Sequence, residues 1–313
     1  MEYVYLLLCL VAIIFSADWL VAGAVTIAKR FKISDFVIGA VIVGVGTSFP
    51  ELVVSTIGAA EGNADIAIGN VVGSNIFNVL GILGLTAMIM PVAVSRENKR
   101  IDMPFCIGIS LLTLLLVFNF FAGGTLGISR IDGLILLAIF ALFMFNSLKG
   151  DKKKEVVSDE VISNKQLAFG IGKVILGLAV LIISSRIFLN NAILIAKAWG
   201  VNDAFIAITL VACGTSLPEL AASLVAAAKK NTQLALGNVI GSNIFNLTLI
   251  LGAASQITPL TSSGITAVDY AVMIFAAIIP LILGFKGVLN RYAGAAMFIC
   301  FIAYNYYLII NAS

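Results

Sequence analysis

An all-α membrane protein, with ten transmembrane helices arranged as two inverted five-helix repeats, is the fold class this sequence predicts. Three observations lead there. The first is composition: of 313 residues, 61% are hydrophobic and only 11% charged, with a mean hydropathy of +1.11. That is more apolar surface than a soluble domain buries. The second is an internal duplication. GTSFPEL at 46–52 recurs as GTSLPEL at 214–220, and GNVVGSNIFN at 69–78 recurs as GNVIGSNIFN at 237–246. The offset is 168 throughout, and residues 33–84 align on 201–252 without a gap, with 26 identities in 52 positions. A match of that length is a duplication, not chance. The third is the uneven placement of Lys and Arg, which sets the sense of each span.

The apolar segments follow one another with clear breaks. Span 1, near 3–28, opens MEYVYLLLCLVAIIF. It lacks a basic leading region and a cleavage site, so it reads as a span and not as a removed signal peptide. KRFKISD (29–35) ends it. Span 2 (36–60) carries the first signature and ends at EGNAD (61–65); span 3 (66–90) carries the second and ends in PVAVSRENKRID (91–102). Spans 4 and 5 lie near 103–121 and 131–148. GDKKKEVVSDEVISNKQ (150–166), the longest polar piece, divides the chain. Spans 6 to 10 follow near 167–196, 203–228, 234–258, 267–284 and 292–311. The expected organisation is a first repeat at 1–148, a cytoplasmic linker at 149–166 and a second repeat at 167–313.

If spans alternate in direction, the loops after spans 1, 3, 5, 7 and 9 hold fifteen Lys and Arg. The opposite face holds only Arg130 and Lys197, and two more, Lys173 and Arg186, lie within span 6. By the positive-inside rule the rich face is cytoplasmic and both termini are extracytoplasmic. Five spans per half is an odd number, so the second repeat enters the membrane from the opposite side. Inverted repeats of this kind place a binding site at their interface near mid-membrane.

Glu51 and Glu219 each sit within a long apolar segment, where a carboxylate is costly and marks function by default. Pro50 and Pro218 disrupt the helical hydrogen bonds one turn back, near Gly46 and Gly214, with Gly44 and Ala212 alongside. Thr47, Ser48 and Ser55 fall three or four residues from Glu51 and share its helical face. Hydroxyls, freed carbonyls and one carboxylate form an all-oxygen surface suited to Na⁺ or Ca²⁺. In the second signature Asn70, Ser74 and Asn78 make a polar stripe at spacings of four, repeated by Asn238, Ser242 and Asn246. A ligand role is favoured for Asn78 and Asn246. For Asn70 and Asn238 a ligand role and an interhelical hydrogen bond both stay open. Gly69 and Gly73 have the spacing of close helix contact. Two ionised carboxylates carry charge −2, which one Ca²⁺ or two monovalent cations neutralise.

The sequence excludes other classes. It has no histidine, so the usual proton shuttle and commonest transition-metal ligand are missing. Its four cysteines are dispersed in apolar segments without metal spacing. Ser48 and Ser216 have no neighbouring base to make them nucleophiles, so the chain is not expected to be an enzyme. A net charge of +3 with no basic patch gives no reason to expect a nucleic-acid partner. No cofactor and no obligate protein partner are expected, only the bilayer and the transported ions.

These two signatures resemble the α1 and α2 repeats of the cation/Ca²⁺ antiporter superfamily, most closely prokaryotic sodium/calcium exchangers of ten helices. The likeness is tightest over 35–84 and 203–252. It implies exchange of Na⁺ for Ca²⁺ by alternating access, with spans 1 and 6 sliding over the rest; the compact architecture and the lack of targeting signals suggest a bacterial or archaeal inner membrane. It implies that Glu51 and Glu219 are shared Ca²⁺ and Na⁺ ligands. Thr47, Thr215, Ser48 and Ser216 would add oxygens, Gly44 and Ala212 main-chain carbonyls, and Ser74, Ser242, Asn78 and Asn246 would complete the centre. Asn246 stands where some relatives carry Asp, which argues against potassium co-transport. The linker is too short for the Ca²⁺-sensing domain of large eukaryotic members. A Ca²⁺/H⁺ exchanger of the same superfamily is the nearest alternative and a cation channel a more distant one. Asp18 and Arg186 occupy equivalent repeat positions and read either as an ion pair between spans 1 and 6 or as two charges facing separate crevices.

Overall fold

The computed structural model describes residues 2–118, 127–150, 162–199, 214–261 and 264–311. Within these the chain is almost entirely helical. We number the helices α1 (Glu2–Phe31), α2 (Asp35–Thr47), α3 (Phe49–Ala60), α4 (Ala64–Ile89), α5 (Asn98–Val117), α6 (Arg130–Gly150), α7 (Asn164–Ala198), α8 (Leu217–Ala228), α9 (Thr232–Ile257), α10 (Ala267–Leu283) and α11 (Arg291–Asn311). Seven of them are long and apolar enough to cross a membrane. The pair α2 and α3 is bent by 46° at Ser48 and counts as an eighth crossing if taken as one broken span. Helices α8 and α10 are apolar but shorter. The first part of predicted span 7, with Ala212 and Cys213, lies outside the described residues, as does most of the linker.

The two helices that carry the second signature form the centre. In α9, 94% of the most apolar stretch is buried and in α4 78%, against 11–33% for the other five long helices. That burial explains why these helices are built of Gly, Asn and Ser: backbones must meet. At Gly39, Gly237 and Gly241 a Cβ would run into the backbone of Leu234, Phe36 and Ala40, so α2 and α9 touch main chain to main chain. At the far end of α9, a Cβ at Gly252 would lie 3.0 Å from the Gly133 carbonyl of α6. At the matching position of α4, one at Gly84 would lie 3.1 Å from the Gly294 carbonyl of α11. Helix α6 thus braces α9, and α11 braces α4.

Local detail repeats as well. Gly62 and Lys230 both take positive φ, 74° and 62°. Asn63 and Asn231 then cap α4 and α9 by accepting from Ile66 N and Leu234 N. Lys230 bears the strain that Gly62 avoids. Both central helices widen into a π-helical segment, at Phe77–Leu83 and Asn246–Ile250, a distortion that tends to mark functional sites.

Helices α1 and α7 lie antiparallel as a separate pair. A Cβ at Gly23 would run into the Gly170 carbonyl, and one at Gly177 would meet Ser16 O at 2.9 Å. Trp199 Nε1 donates to Tyr3 Oη at one end of the pair (3.2 Å), and Arg30 reaches Asn164 at the other (3.5 Å). The loops gather in two groups. A two-stranded antiparallel ribbon joins Val92–Ala93 to Val288–Leu289, Gln233 donates to Ala93 O, and Lys99 donates to Phe285 O. On the other side Ile128 bridges Leu260, and Gly264 N donates to Asp65 (2.9 Å).

The structure narrows two readings that the sequence left wide. Asp18 pairs with Lys229 (2.6 Å) at the end of α8, not with Arg186, which is exposed on α7. The small-residue spacing of Gly69 and Gly73 gives a close contact at Gly69 only, among the described residues. A Cβ at Gly73 would meet nothing within 4 Å, and one at Gly69 only Ile265 at 3.0 Å. Both line a shallow cavity of about 220 Å³ beside Asp269 and Tyr304.

Candidate cation site

Pro50 and Pro218 stand in the first turn of α3 and α8, just past Ser48 and Ser216. Both serines leave the helical region in the same way, with φ/ψ of −82°/8° and −92°/15°. The break is what proline at these positions dictates. It turns Thr47, Ser48 and Glu51 on one side, and Thr215, Ser216 and Glu219 on the other, into the space between the halves.

There the halves exchange hydrogen bonds. Ser48 Oγ donates to Glu219 Oε1 (2.9 Å), and Ser216 Oγ donates to Glu51 Oε1 (2.8 Å). Ser216 Oγ also lies 3.2 Å from Ser74 Oγ. Ser242 Oγ donates to the Gly44 carbonyl (3.2 Å). Thr47 Oγ1 is 3.0 Å from Val43 O and 3.3 Å from Asn238 Oδ1, while Thr215 Oγ1 is 3.5 Å from Asn70 Oδ1. Asn78 Nδ2 donates to Asn243 Oδ1 (3.0 Å) and Asn246 Nδ2 to Asn75 Oδ1 (3.4 Å). Eleven of the twelve residues expected from sequence therefore join three hydrogen-bonded groups that each cross between the two copies: Gly44, Thr47, Ser48, Glu219 and Ser242 in one, Glu51, Ser74, Thr215 and Ser216 in another, Asn78 and Asn246 in the third; Ala212 lies outside the described residues.

Asn70 and Asn238, left open by sequence, serve as braces. Each amide donates to the main-chain carbonyl of the Glu in its own half (Glu51 O, 3.1 Å; Glu219 O, 3.2 Å). Each also donates to a serine one turn beyond that Glu (Ser55 Oγ, 3.0 Å; Ser223 Oγ, 2.9 Å). Their oxygens take the threonines of the opposite half. Asn75 and Asn243 were not singled out by sequence. Their signal was present, since they stand three residues before Asn78 and Asn246 and so on the same helical face.

The carboxylates of Glu51 and Glu219 are fully buried, and no Lys or Arg pairs with them among the described residues. Four buried oxygens that can only accept have no donor among the described residues: Glu51 Oε2, Glu219 Oε2, Asn78 Oδ1 and Asn246 Oδ1. They are two pairs of equivalent atoms, each pair with one atom from each half. A buried acceptor without a partner costs about 1–3 kcal/mol, and more when charged. Four of them on the two repeated signatures, with two formal negative charges and no histidine in the chain, form a donor set for a hard cation.

Comparison with known proteins gives the family. The family model described as sodium/calcium exchanger protein matches residues 1–149 and 169–310. The sodium/calcium exchanger MaX1 of Methanosarcina acetivorans is 33% identical over 339 residues, covering 97% of each chain. The inner membrane protein YrbG of Escherichia coli is 33% identical over 287 residues, covering 88% of this chain and 86% of its own. The solved structure of the sodium-calcium exchanger NCX_Mj soaked with 10 mM Na⁺ and zero Ca²⁺ matches at a TM-score of 0.85 and 30% identity. That match covers 96% of this chain and 97% of that one.

Proposed function

This chain belongs to the sodium/calcium exchanger protein family, and we propose that it is a secondary antiporter exchanging Na⁺ for Ca²⁺ through the one site between its halves. The observation that carries the reading is the set of four unpartnered buried oxygens on Glu51, Glu219, Asn78 and Asn246. Uncompensated acceptors of this kind are tolerated where a bound cation satisfies them. Hydroxyls of Thr47, Ser48, Thr215, Ser216, Ser74 and Ser242 and carbonyls near Gly44 and Ala212 complete the six to eight oxygens that Ca²⁺ takes. One Ca²⁺ or two Na⁺ balances the two carboxylates, so the cargoes compete for the same charge. That competition is the physical basis of exchange.

In this reading the eight crossings and two shorter apolar helices make ten spans, in two inverted five-helix repeats at 1–148 and 167–313 joined by a cytoplasmic linker at 149–166. Both termini face out of the cytoplasm, and the protein lies in the cell (inner) membrane. The zipped pair α1 and α7, packed chiefly on each other, moves across the remaining helices to open the site to one face and then the other.

The test is ⁴⁵Ca²⁺ uptake into proteoliposomes preloaded with Na⁺, against Na⁺-free and pH-gradient controls. Uptake that needs internal Na⁺ supports the reading. Uptake driven by a pH gradient alone replaces Na⁺ by H⁺ as the coupling ion, and gradient-independent flux makes the protein a channel.

A further inference from the structure

An asparagine at a cation site is chemically two-faced. Its carbonyl oxygen attracts a cation and its NH₂ repels one, and a half-turn of the amide exchanges them. Asn78 and Asn246 each have such an amide, fully buried, and in each the oxygen is the end without a partner. What fixes that choice comes from the other half of the chain. Asn78 Nδ2 is held by Asn243 Oδ1 (3.0 Å) and Asn246 Nδ2 by Asn75 Oδ1 (3.4 Å). Asn243 is itself prevented from turning, because its Nδ2 donates to the Asn75 main-chain carbonyl (3.2 Å), whereas the Asn75 Nδ2 is buried with no partner among the described residues, so the Asn243 clamp is the firmer of the two. The oxygens of Asn75 and Asn243 are thus already engaged and are not free to bind a cation. Both residues are almost fully buried, so water does not take over their part.

We propose that Asn75 and Asn243 are positioning residues: each clamps the NH₂ of the opposite half's Asn246 or Asn78, so that both ligand amides present oxygen to the transported cation. The proposal rests on the cation-exchange reading above. It extends the site by two residues that act only through others, and it makes each half responsible for the amide of its counterpart. Partners of this outer kind typically alter metal affinity by roughly 10–100-fold when removed.

A double-mutant cycle separates positioning from mere packing. A carboxylate has two equivalent oxygens and no repelling end, so Asn78→Asp makes the clamp unnecessary. Equilibrium ⁴⁵Ca²⁺ binding to the purified, monodisperse full chain in detergent is the readout, with thermal stability measured in parallel. Asn243→Ala is expected to weaken Ca²⁺ binding roughly tenfold in the native background and by less than about twofold in the Asn78→Asp background. Asn243→Asp keeps an acceptor for the Asn78 NH₂ and is expected to fall between native protein and Asn243→Ala. Should Asn243→Ala not fold, Asn75→Ala with Asn246→Asp forms the mirror cycle. Equal losses in both backgrounds refute the clamp while leaving the exchange reading intact. A native protein that folds but binds neither Ca²⁺ nor Na⁺ overturns both.

Discussion

Asn238→Ala is the substitution whose cost the structure specifies most fully. The Asn238 side chain is entirely buried and joins three segments. Its amide donates to Ser223 Oγ (2.9 Å) and Glu219 O (3.2 Å), and its oxygen lies 3.3 Å from Thr47 Oγ1 in the other half. Two sound hydrogen bonds and one long one, at about 1 kcal/mol each, with their partners left in a dry site, sum to about 3 kcal/mol. For a chain this long, about 2 °C per kcal/mol gives a melting point lower by roughly 6 °C. Asn70 makes the equivalent bonds at 3.1, 3.0 and 3.5 Å but is half-buried, so water replaces part of what is lost. Asn70→Ala is therefore expected to cost about half as much. Thermal unfolding of both variants in detergent, followed by loss of the monodisperse peak, measures this. Equal shifts, or a shift below about 2 °C for Asn238→Ala, would refute the bonding described for Asn238.

Three further outcomes follow from the same geometry. Glu51→Gln and Glu219→Gln each remove one of the two charges that balance Ca²⁺. Each is expected to abolish Na⁺-dependent ⁴⁵Ca²⁺ uptake while the protein still elutes as a folded species; residual exchange above about a tenth of native in either would count against a shared site. Gly241→Ala drives a methyl into Ala40 of α2 and parts the helices that carry Thr47 and Asn238. Such overpacking costs about 1–3 kcal/mol, and Gly172→Ala, which meets nothing within 4 Å among the described residues, is the control expected to behave as native in yield and melting point. The Asp18–Lys229 pair is 47% and 38% exposed, so a double-mutant cycle on Asp18→Asn and Lys229→Gln is expected to give less than about 1 kcal/mol of coupling in thermal stability.

The helices and the carboxylates were legible because each leaves an unambiguous trace. Twenty apolar residues have few other uses, and Glu51 and Glu219 stand out as charges where charge is expensive. The duplication made the second copy a check on the first, and the π-helical segments at Asn78 and Asn246 and the capping pair Asn63 and Asn231 confirm that the two copies fold alike. Direction was not legible. Spacing put Ser48 on the face of Glu51, yet its hydroxyl serves Glu219, because the bend at Ser48 carries it to the opposite half. Asn75 escaped notice for a related reason: an amide in a polar motif does not announce which neighbour it will hold. Gly73 and Gly241 hold equivalent positions and meet different surroundings, since a glycine records permission for contact and not the contact itself. Asp18 and Arg186, left open by sequence between an ion pair and two separate charges, do not pair, because equivalent positions in two copies are not thereby neighbours; Lys229 takes Asp18.

The most direct test of the central claim is where a cation sits. Crystals of the native chain soaked with Ca²⁺ or Sr²⁺, read by anomalous difference density, give that position without reference to transport. The account predicts one dominant peak between the halves, within about 2.3–2.6 Å for Ca²⁺ of at least one oxygen each from Glu51 and Glu219, and its disappearance on soaking in Na⁺ alone. A peak elsewhere in a protein that exchanges Ca²⁺, or one that contacts only a single half, would contradict a shared site built by both repeats.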